Sequence, residues 1–200
     1  MSEFTIIEDC SPYYIRFTHA GIEDLIDYCK KCIPKLEGIE GFKHYALPLT
    51  EATNVLKKTP ISELMPLQPN RVSLFLSSPG MYYRAHKDGI NHRFSINYGI
   101  VIEDNKCTTS WWSDDDLKKY PLEYFNGWSR ECNEFNPKNH TPIKSMTAKP
   151  GECILFNTDI FHDWDNQLSN NYRVVLTLRI KQPLTGKIYF EDAKKIIFGQ

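Results

Sequence analysis

The sequence predicts a mainly β fold, a double-sheet jelly roll that follows a helical and extended N-terminal region. About seven or eight short runs with strand-like alternation, separated by Pro, Gly and Asn turns, occupy residues 71–182. The clearest run, Arg173 to Ile180, alternates apolar and polar residues without a break. A helical pattern precedes these runs, because apolar residues recur at helical spacing from Ile22 to Ile33.

Composition indicates one ordinary globular domain. A chain of 200 residues is long enough to bury a sizeable core and short enough to form a single domain. The formal net charge of −1 shows no basic excess, which disfavours nucleic acid and membrane surfaces as partners. Residues 1–20 resemble no signal peptide, and no apolar run reaches the ~20 residues of a membrane span, so we expect a cytoplasmic protein. Its six cysteines, Cys29 and Cys32 among them, are then expected to be reduced thiols.

The first 70 residues are expected to support the barrel rather than to form it. Residues 1–20 form an extended lead-in, and a helix is predicted from Gly21 to Pro34, where proline ends it. Residues 42–47 are a candidate short strand, and Thr50 to Lys58 a second short helix. A proline-rich connection then leads to the predicted barrel core at 71–182.

The middle of the chain supplies the first strands of the core. Met81 to Asp88 is a predicted strand with Tyr82, Arg84, His86 and Asp88 on one face. Arg93 to Glu103 is a predicted long strand with an apolar face and a polar face. Residues 121–140 are rich in Asn, Pro and Gly, so they are predicted to form a long loop of the kind that serves as a functional lid.

The last third has the clearest strand signals. Strands are predicted at Ile143 to Ala148, Glu152 to Asn157, Ile160 to Trp164 and Arg173 to Ile180. A short terminal helix, Tyr189 to Phe198, is predicted within the C-terminal tail 183–200.

Two histidines and an aspartate predict a metal site. His86 and Asp88 are two residues apart, so on a strand their side chains share a face. His162 can add a second imidazole, and two His with one carboxylate is the facial triad of non-haem Fe(II) oxygenases. A His-x-Asp pair also occurs at surface turns, and a lone His is often a hydrogen-bonded structural residue. The joint order of His86, Asp88, His162 and Arg173 favours the metal site.

These motifs carry a family resemblance over residues 71–182. The chain resembles the 2-oxoglutarate and Fe(II)-dependent dioxygenase superfamily, and within it the small prolyl-hydroxylase-like oxygenases of bacteria and phages. The matching pieces are His86-Lys87-Asp88, the Pro150-Gly151-Glu152 turn into Ile154-Leu155-Phe156, Phe161-His162, Asn166, and Tyr172-Arg173-Val174-Val175-Leu176. The resemblance implies a double-stranded β-helix and, for a phage-encoded chain, the host cytoplasm.

The resemblance also implies the cofactors and their ligands. Iron as Fe(II) would be bound by His86, Asp88 and His162, with O2 as the oxidant and ascorbate as a supporting reductant. Arg173 would pair with the distal carboxylate of the cosubstrate 2-oxoglutarate, because guanidinium binds carboxylate in a bidentate fork.

The sequence departs from the family pattern two residues after Arg173. Members often have Ser there, whereas this chain has Val175, so a further contact to the cosubstrate must come from elsewhere. Tyr82 and Asn97 are the candidates, although a core tyrosine and an asparagine at a strand bend are equally ordinary structural residues. Arg173 and Arg179 have the spacing of the two arginines in alkylation-repair demethylases, but Val175 replaces the Asn between them.

The expected activity is hydroxylation of an unidentified small-molecule or peptide substrate, with release of succinate and CO2. Halogenating relatives lack the ligand carboxylate, whereas Asp88 is present here. Two alternatives remain open at this point. One is a nucleic-acid demethylase of the alkylation-repair type, which the charge balance disfavours. The other is a non-catalytic cupin-like module that binds a metal or ligand.

Overall fold

The computed structural model describes residues 3–34, 38–64, 69–88, 93–102, 106–125, 129–132, 134–180 and 187–199. Two antiparallel sheets face each other across a cavity. The larger sheet has seven strands. In spatial order they are β1 (Phe4–Cys10), β2 (Tyr14–His19), β11 (Cys153–Asn157), β6 (Phe94–Ile102), β13 (Arg173–Ile180), β4 (Pro69–Ser77) and β3 (Phe42–Ala46).

The smaller sheet has six strands. In spatial order they are β10 (Lys144–Thr147), β7 (Thr108–Trp111), β12 (His162–Asp165), β5 (Tyr82–Asp88), β9 (Ser129–Cys132) and β8 (Leu122–Phe125). Every pairing in both sheets is antiparallel. The architecture is a double-stranded β-helix, which confirms the predicted fold class.

Helices cover the outer face of the larger sheet. They are α1 (Ile22–Cys32), α2 (Leu49–Leu56) and α4 (Phe190–Phe198), and the 3-10 turn Pro60–Glu63 after α2 adds Ile61 to the same core. The helix α3 (Asp114–Leu117) and the 3-10 turn Pro137–Asn139 lie elsewhere. The main hydrophobic core combines their apolar faces with the sheet, as α1 shows by burying Ile22, Leu25, Ile26 and Cys29. Residues at that spacing form a single apolar stripe along a helix, which explains why this segment packs against the sheet as a helix.

β13 divides the core from the cavity. Val174, Leu176 and Leu178 are fully buried in the main core. The alternate residues of the strand, Arg173 to Arg179, line the cavity. This is the two-faced pattern expected from the sequence, and it places charged side chains at a cavity wall.

A glycine on β6 lets a neighbouring turn approach the sheet. A Cβ atom on Gly99 would lie 2.3 Å from the carbonyl oxygen of Lys149, closer than any real contact. The amide of Gly99 donates to Glu152 (3.2 Å), and the Gly99 carbonyl accepts from Gly151 (3.2 Å). Glycine is therefore required where the turn before β11 packs against β6.

The structure corrects the expectation for residues 121–140. Instead of one long lid loop, this stretch contains β8 and β9, which pair with each other and extend the smaller sheet beside β5. The N-terminal region is also more integrated than expected, since β1, β2 and β3 are strands of the larger sheet. All six cysteines are free thiols. Among the described residues, no helix combines the length and apolar character that crossing a membrane requires.

Candidate functional site

The cavity between the sheets has a volume of about 470 Å³. That size is typical of a small-molecule site. Residues from both sheets line the cavity, and strands β4, β6 and β13 on one side face β5 and β12 on the other. Its wall combines a group of aromatic side chains with histidines, aspartates and three arginines. Such a lining can bind a metal ion, an acid and an apolar group together.

The predicted metal ligands converge at this cavity. β5 and β12 pair with His86 directly opposite His162, and the two imidazole centres are 4.3 Å apart. Asp88 lies two residues along β5, with its Oδ1 atom 3.8 Å from Nε2 of His86. Candidate ligand atoms of the three residues all lie within 4.8 Å of one another. Two imidazoles and one carboxylate at this spacing suit Fe(II) and leave coordination positions free.

Backbone carbonyls orient both imidazoles for metal binding. Nδ1 of His86 lies 2.9 Å from the carbonyl oxygen of Arg84, and Nδ1 of His162 lies 2.8 Å from that of Ile160. A carbonyl only accepts, so each Nδ1 donates its proton and each Nε2 keeps a free lone pair. Burial, followed by the neighbouring His86, lowers the pKa of His162 to about 3, so this ring is neutral at neutral pH. Neutral imidazole is the form that ligates metals.

A β-bulge decides which tyrosine faces the metal ligands. Between β12 and β5, His162 pairs with His86 but Trp164 pairs with Tyr83, so β5 contains one extra residue. An extra residue shifts the alternation of side chains by one position. Tyr83 therefore lines the cavity, with its ring centre 4.9 Å from that of His86. The expectation that Tyr82 and Arg84 share the face of His86 is corrected by this bulge.

Tyr82 belongs to a buried network behind the cavity wall. Its hydroxyl donates to Oδ2 of Asp163 at 2.9 Å, and Nε1 of Trp112 donates to the same oxygen at 3.0 Å. The amide of Ser110 donates to Oδ1 of Asp163 at 3.1 Å. Burial raises the pKa of Asp163 to about 6, against the opposing effect of these three donors. The network fixes β12 against β5 and β7, and so fixes the strand that carries His162.

Arg173 is a buried cation with no ion-pair partner among the described residues. Its side chain lines the cavity, its residue exposure is 6%, and its guanidinium carbon lies 4.5 Å from the centre of the Trp164 ring. Nε and Nη1 are buried and have no hydrogen-bond partner among the described residues. Burial lowers the pKa of Arg173, and among the described residues the opposing influence comes from Cys107 rather than from a carboxylate. Because an unpaired buried charge is costly, the site fits a bound carboxylate at this position.

Three further polar groups lie on the cavity wall or beside it. Oδ1 of Asn97 is buried without a partner among the described residues, and Asn97 lines the cavity. Arg179 also lines the cavity, and its Nη1 atom lies 3.4 Å from Oδ2 of Asp88. Beside Arg173, directly opposite on β4, the hydroxyl of Ser77 is buried and also has no described partner.

The cavity brings together most of the residues singled out from the sequence. His86, Asp88, His162, Arg173 and Asn97 all line it, whereas Tyr82 does not. Sequence reasoning missed a second group that also lines the cavity: Phe42, His44, Arg71, Phe75, Tyr83 and Trp164. Only Trp164 carried a usable signal, since it stands two residues after His162 on a short strand.

Comparisons with known proteins support the fold. No family model matches the sequence, and no curated protein does. Among solved structures, the chain is similar to the non-heme alpha ketoglutarate dependent carbocyclase SnoK from nogalamycin biosynthesis, with 11% identity and a TM-score of 0.55 over 84% of this chain and 79% of that one. It is also similar to the epimerase SnoN in complex with Fe3+, alpha ketoglutarate and nogalamycin RO, with 10% identity and a TM-score of 0.53 over 84% and 78%. At such identities the likeness shows a shared fold.

Proposed function

We propose that this protein is an Fe(II)- and 2-oxoglutarate-dependent oxygenase. The observation that carries the proposal is the buried guanidinium of Arg173, whose Nε and Nη1 atoms have no partner among the described residues, in the same cavity as the His86, Asp88 and His162 cluster. A metal site alone would need no such cation. A cation alone would need no convergent ligands. Together they fit an acid that reaches from the metal to Arg173. SnoK and SnoN, which share the fold, are both described as alpha ketoglutarate dependent.

His86, Asp88 and His162 would hold the iron. When bound, Fe(II) with 2-oxoglutarate and O2 supplies an oxidation that inserts oxygen into a substrate and releases succinate and CO2. The chain prepares this site in two ways. The Arg84 and Ile160 carbonyls keep both Nε2 lone pairs free for the metal, and the buried Asp163 network holds β12 in place.

Arg173 would bind the distal carboxylate of 2-oxoglutarate. Trp164 packs against the guanidinium and limits its orientation, which favours a fixed bidentate contact. Ser77 takes the role that Val175 cannot fill, because it stands directly opposite Arg173 and its hydroxyl has no partner among the described residues. Asn97 is the second polar contact, since it lines the cavity and the NH2 group of its side-chain amide can donate to the acid, while the hydroxyl of Tyr82 is engaged by Asp163.

Hydroxylation is the reaction we propose, as in the prolyl-hydroxylase-like oxygenases that the sequence resembles. The carboxylate of Asp88 occupies the position that halogenating relatives leave open. The substrate is a small molecule or a peptide residue, because a cavity of about 470 Å³ must hold 2-oxoglutarate as well. A net charge of −1 gives no support to a nucleic-acid demethylase.

Succinate formation tests the proposal. Wild-type protein with Fe(II), ascorbate, 2-oxoglutarate and air should form succinate slowly without substrate and faster with the right one. His162→Ala should form none above the metal-only background. The matched control is His140→Ala, because His140 lies away from the cavity and bonds to the hydroxyl of Tyr120. Absence of succinate from the wild type across a broad substrate set would favour the non-catalytic metal-binding module instead.

A further inference from the structure

Two arginines on adjacent strands stand at one end of the cavity wall. Arg71 on β4 and Arg179 on β13 are directly opposite each other, so their side chains share the cavity face. Like charges in this arrangement repel, although Arg71 is exposed to solvent. Among the described residues, the single carboxylate that either guanidinium contacts is Asp88, which lies 3.4 Å from Arg179.

The charges of the proposed cofactors do not neutralise this pair. Fe(II), the Asp88 carboxylate, the two carboxylates of 2-oxoglutarate and Arg173 cancel one another. The other carboxylate at the cavity, Asp163, is held by Tyr82, Trp112 and Ser110 behind the wall. Once Asp88 binds the metal, neither Arg71 nor Arg179 therefore has a carboxylate of its own among the described residues.

His44 adds a further donor beside the arginines. Nη2 of Arg71 donates to Nδ1 of His44 at 3.3 Å, so the proton of the neutral ring is on Nε2. That Nε2 atom is buried and has no hydrogen-bond partner among the described residues. Burial, followed by Arg71 and Arg179, lowers the pKa of His44, which keeps the ring neutral at neutral pH. The side chains of Arg71, Arg179 and His44 thus offer several hydrogen-bond donors at this end of the cavity, and none of the three offers an acceptor that is still available.

An aromatic surface adjoins these donors. The ring of Phe75 lies 4.9 Å from His44 and 5.8 Å from the guanidinium carbon of Arg179. Phe42 stacks on Phe75 with ring centres 5.5 Å apart, and it contacts Tyr83 at 5.0 Å. Such a surface suits a flat or apolar group rather than a second polar one.

We propose that the substrate to be oxidised is a small organic anion, a carboxylate or a phosphate ester, whose anionic group binds Arg71 and Arg179 and whose apolar part packs on Phe75 and Phe42. This inference rests on the proposed function and names the substrate class of the same site. Guanidinium pairs bind both carboxylate and phosphate through bidentate hydrogen bonds, so the chemistry of the site is shared by the two anions.

The test compares four probes that share a benzene ring and differ in charge. Benzoate, phenyl phosphate, neutral benzamide and cationic benzylammonium are titrated by calorimetry under nitrogen into protein loaded with Fe(II) and saturating 2-oxoglutarate, which occupies Arg173. At least one anion should bind about tenfold or more tightly than benzamide and benzylammonium, as a charge-assisted contact implies. Preference for benzoate identifies a carboxylate substrate, and preference for phenyl phosphate a phosphate ester.

Variants locate the anion site. Arg71→Gln should weaken binding of the preferred anion by about tenfold or more, and Arg71→Lys should retain part of it. The matched control is Lys30→Gln, since Lys30 is exposed on α1 on the far side of the larger sheet. The melting temperature of ligand-free Arg71→Gln should be unchanged or raised, because one of two facing like charges is removed.

Three results would overturn the inference. They are equal binding of benzamide and the anions, full anion affinity in Arg71→Gln, and much tighter Arg71-dependent binding of a single-stranded oligothymidylate than of phenyl phosphate. Binding of 2-oxoglutarate is measured first in the same preparation. If 2-oxoglutarate binds and the anions show no preference, this inference fails alone; if 2-oxoglutarate does not bind, the proposed function fails.

Discussion

The guanidinium carbon of Arg173 lies 4.5 Å from the centre of the Trp164 ring, and Trp164 stands two residues after His162 on β12. The proposed anchor for the cosubstrate therefore packs on the strand that carries a proposed metal ligand. The two sheets are joined at this contact, because Arg173 belongs to the larger sheet and Trp164 to the smaller one. Geometry at the metal and geometry at the anchor are coupled through a single short strand.

Trp164→Leu should weaken 2-oxoglutarate binding about 2- to 30-fold, because a cation–π contact contributes ~0.5–2 kcal/mol. Metal binding should be retained, since the His86, Asp88 and His162 side chains are unchanged. Calorimetry with 2-oxoglutarate and a metal-dependent melting shift measure the two effects separately. Loss of the metal response, or unchanged affinity for 2-oxoglutarate, would contradict this role.

Ser77→Ala should weaken 2-oxoglutarate binding about tenfold or more, since a hydrogen bond to a charged group contributes ~1.5–3 kcal/mol. The control is Ser73→Ala on the same strand. Its hydroxyl is also buried without a described partner, but it lies opposite Thr177 rather than Arg173. Neither change should lower stability, because each removes an unpaired buried hydroxyl. Equal effects of the two changes on affinity would remove Ser77 from the site.

Tyr82→Phe should act on stability rather than on cosubstrate binding. It removes one of three donors to the buried Asp163 carboxylate, which costs ~1–3 kcal/mol of unfolding free energy. Affinity for 2-oxoglutarate should stay within about twofold of wild type. Tyr172→Phe is the comparison, since the hydroxyl of Tyr172 donates to the half-buried Ile39 carbonyl at 3.3 Å and its loss should cost less. Urea unfolding measures the loss of unfolding free energy in both variants. A large loss of 2-oxoglutarate affinity in Tyr82→Phe would instead show that Tyr82 contacts the cosubstrate.

Divalent metal should stabilise the fold through the three ligands. At a free metal concentration 100 times the dissociation constant, binding to the native state adds ~2.7 kcal/mol. His162→Ala and Asp88→Ala should lose the corresponding rise in melting temperature with Co(II), a stand-in for iron that resists oxidation. His140→Ala should keep it. A full metal response in Asp88→Ala would show that the ion binds elsewhere.

The fold can be predicted from the sequence where a strand has one apolar face and one polar face. β13 was predicted with its observed bounds, because its apolar side enters the main core while its polar side meets the cavity. His86, Asp88 and His162 are singled out by their spacing and order, and all three reach one cavity, while their role as metal ligands stays a prediction. In these cases the alternation along the strand predicts the structure, because each face of the strand meets a different environment, the core or the cavity.

Other parts of the site depend on pairing that no local pattern records. The bulge in β5 exists only relative to β12, so alternation alone selected Tyr82 instead of Tyr83. Phe42 and His44 come from β3 in the N-terminal region, and their approach to Phe75 follows from the pairing of β3 with β4. β8 and β9 are missed because two runs of only four residues, within a stretch of sequence rich in Asn, Pro and Gly, resemble a loop.

The central claim is tested most directly by titrating 2-oxoglutarate into the protein under nitrogen, with and without Fe(II). Losing a buried guanidinium contact costs ~2–5 kcal/mol, so Arg173→Ala should bind about 30-fold or more weakly than wild type. Arg173→Lys should recover part of the affinity, because an ammonium keeps the charge but not the fork. Arg71→Gln, the matched arginine control, should bind 2-oxoglutarate as wild type does. Wild-type affinity in Arg173→Ala, or equal affinity with and without Fe(II), would contradict the account.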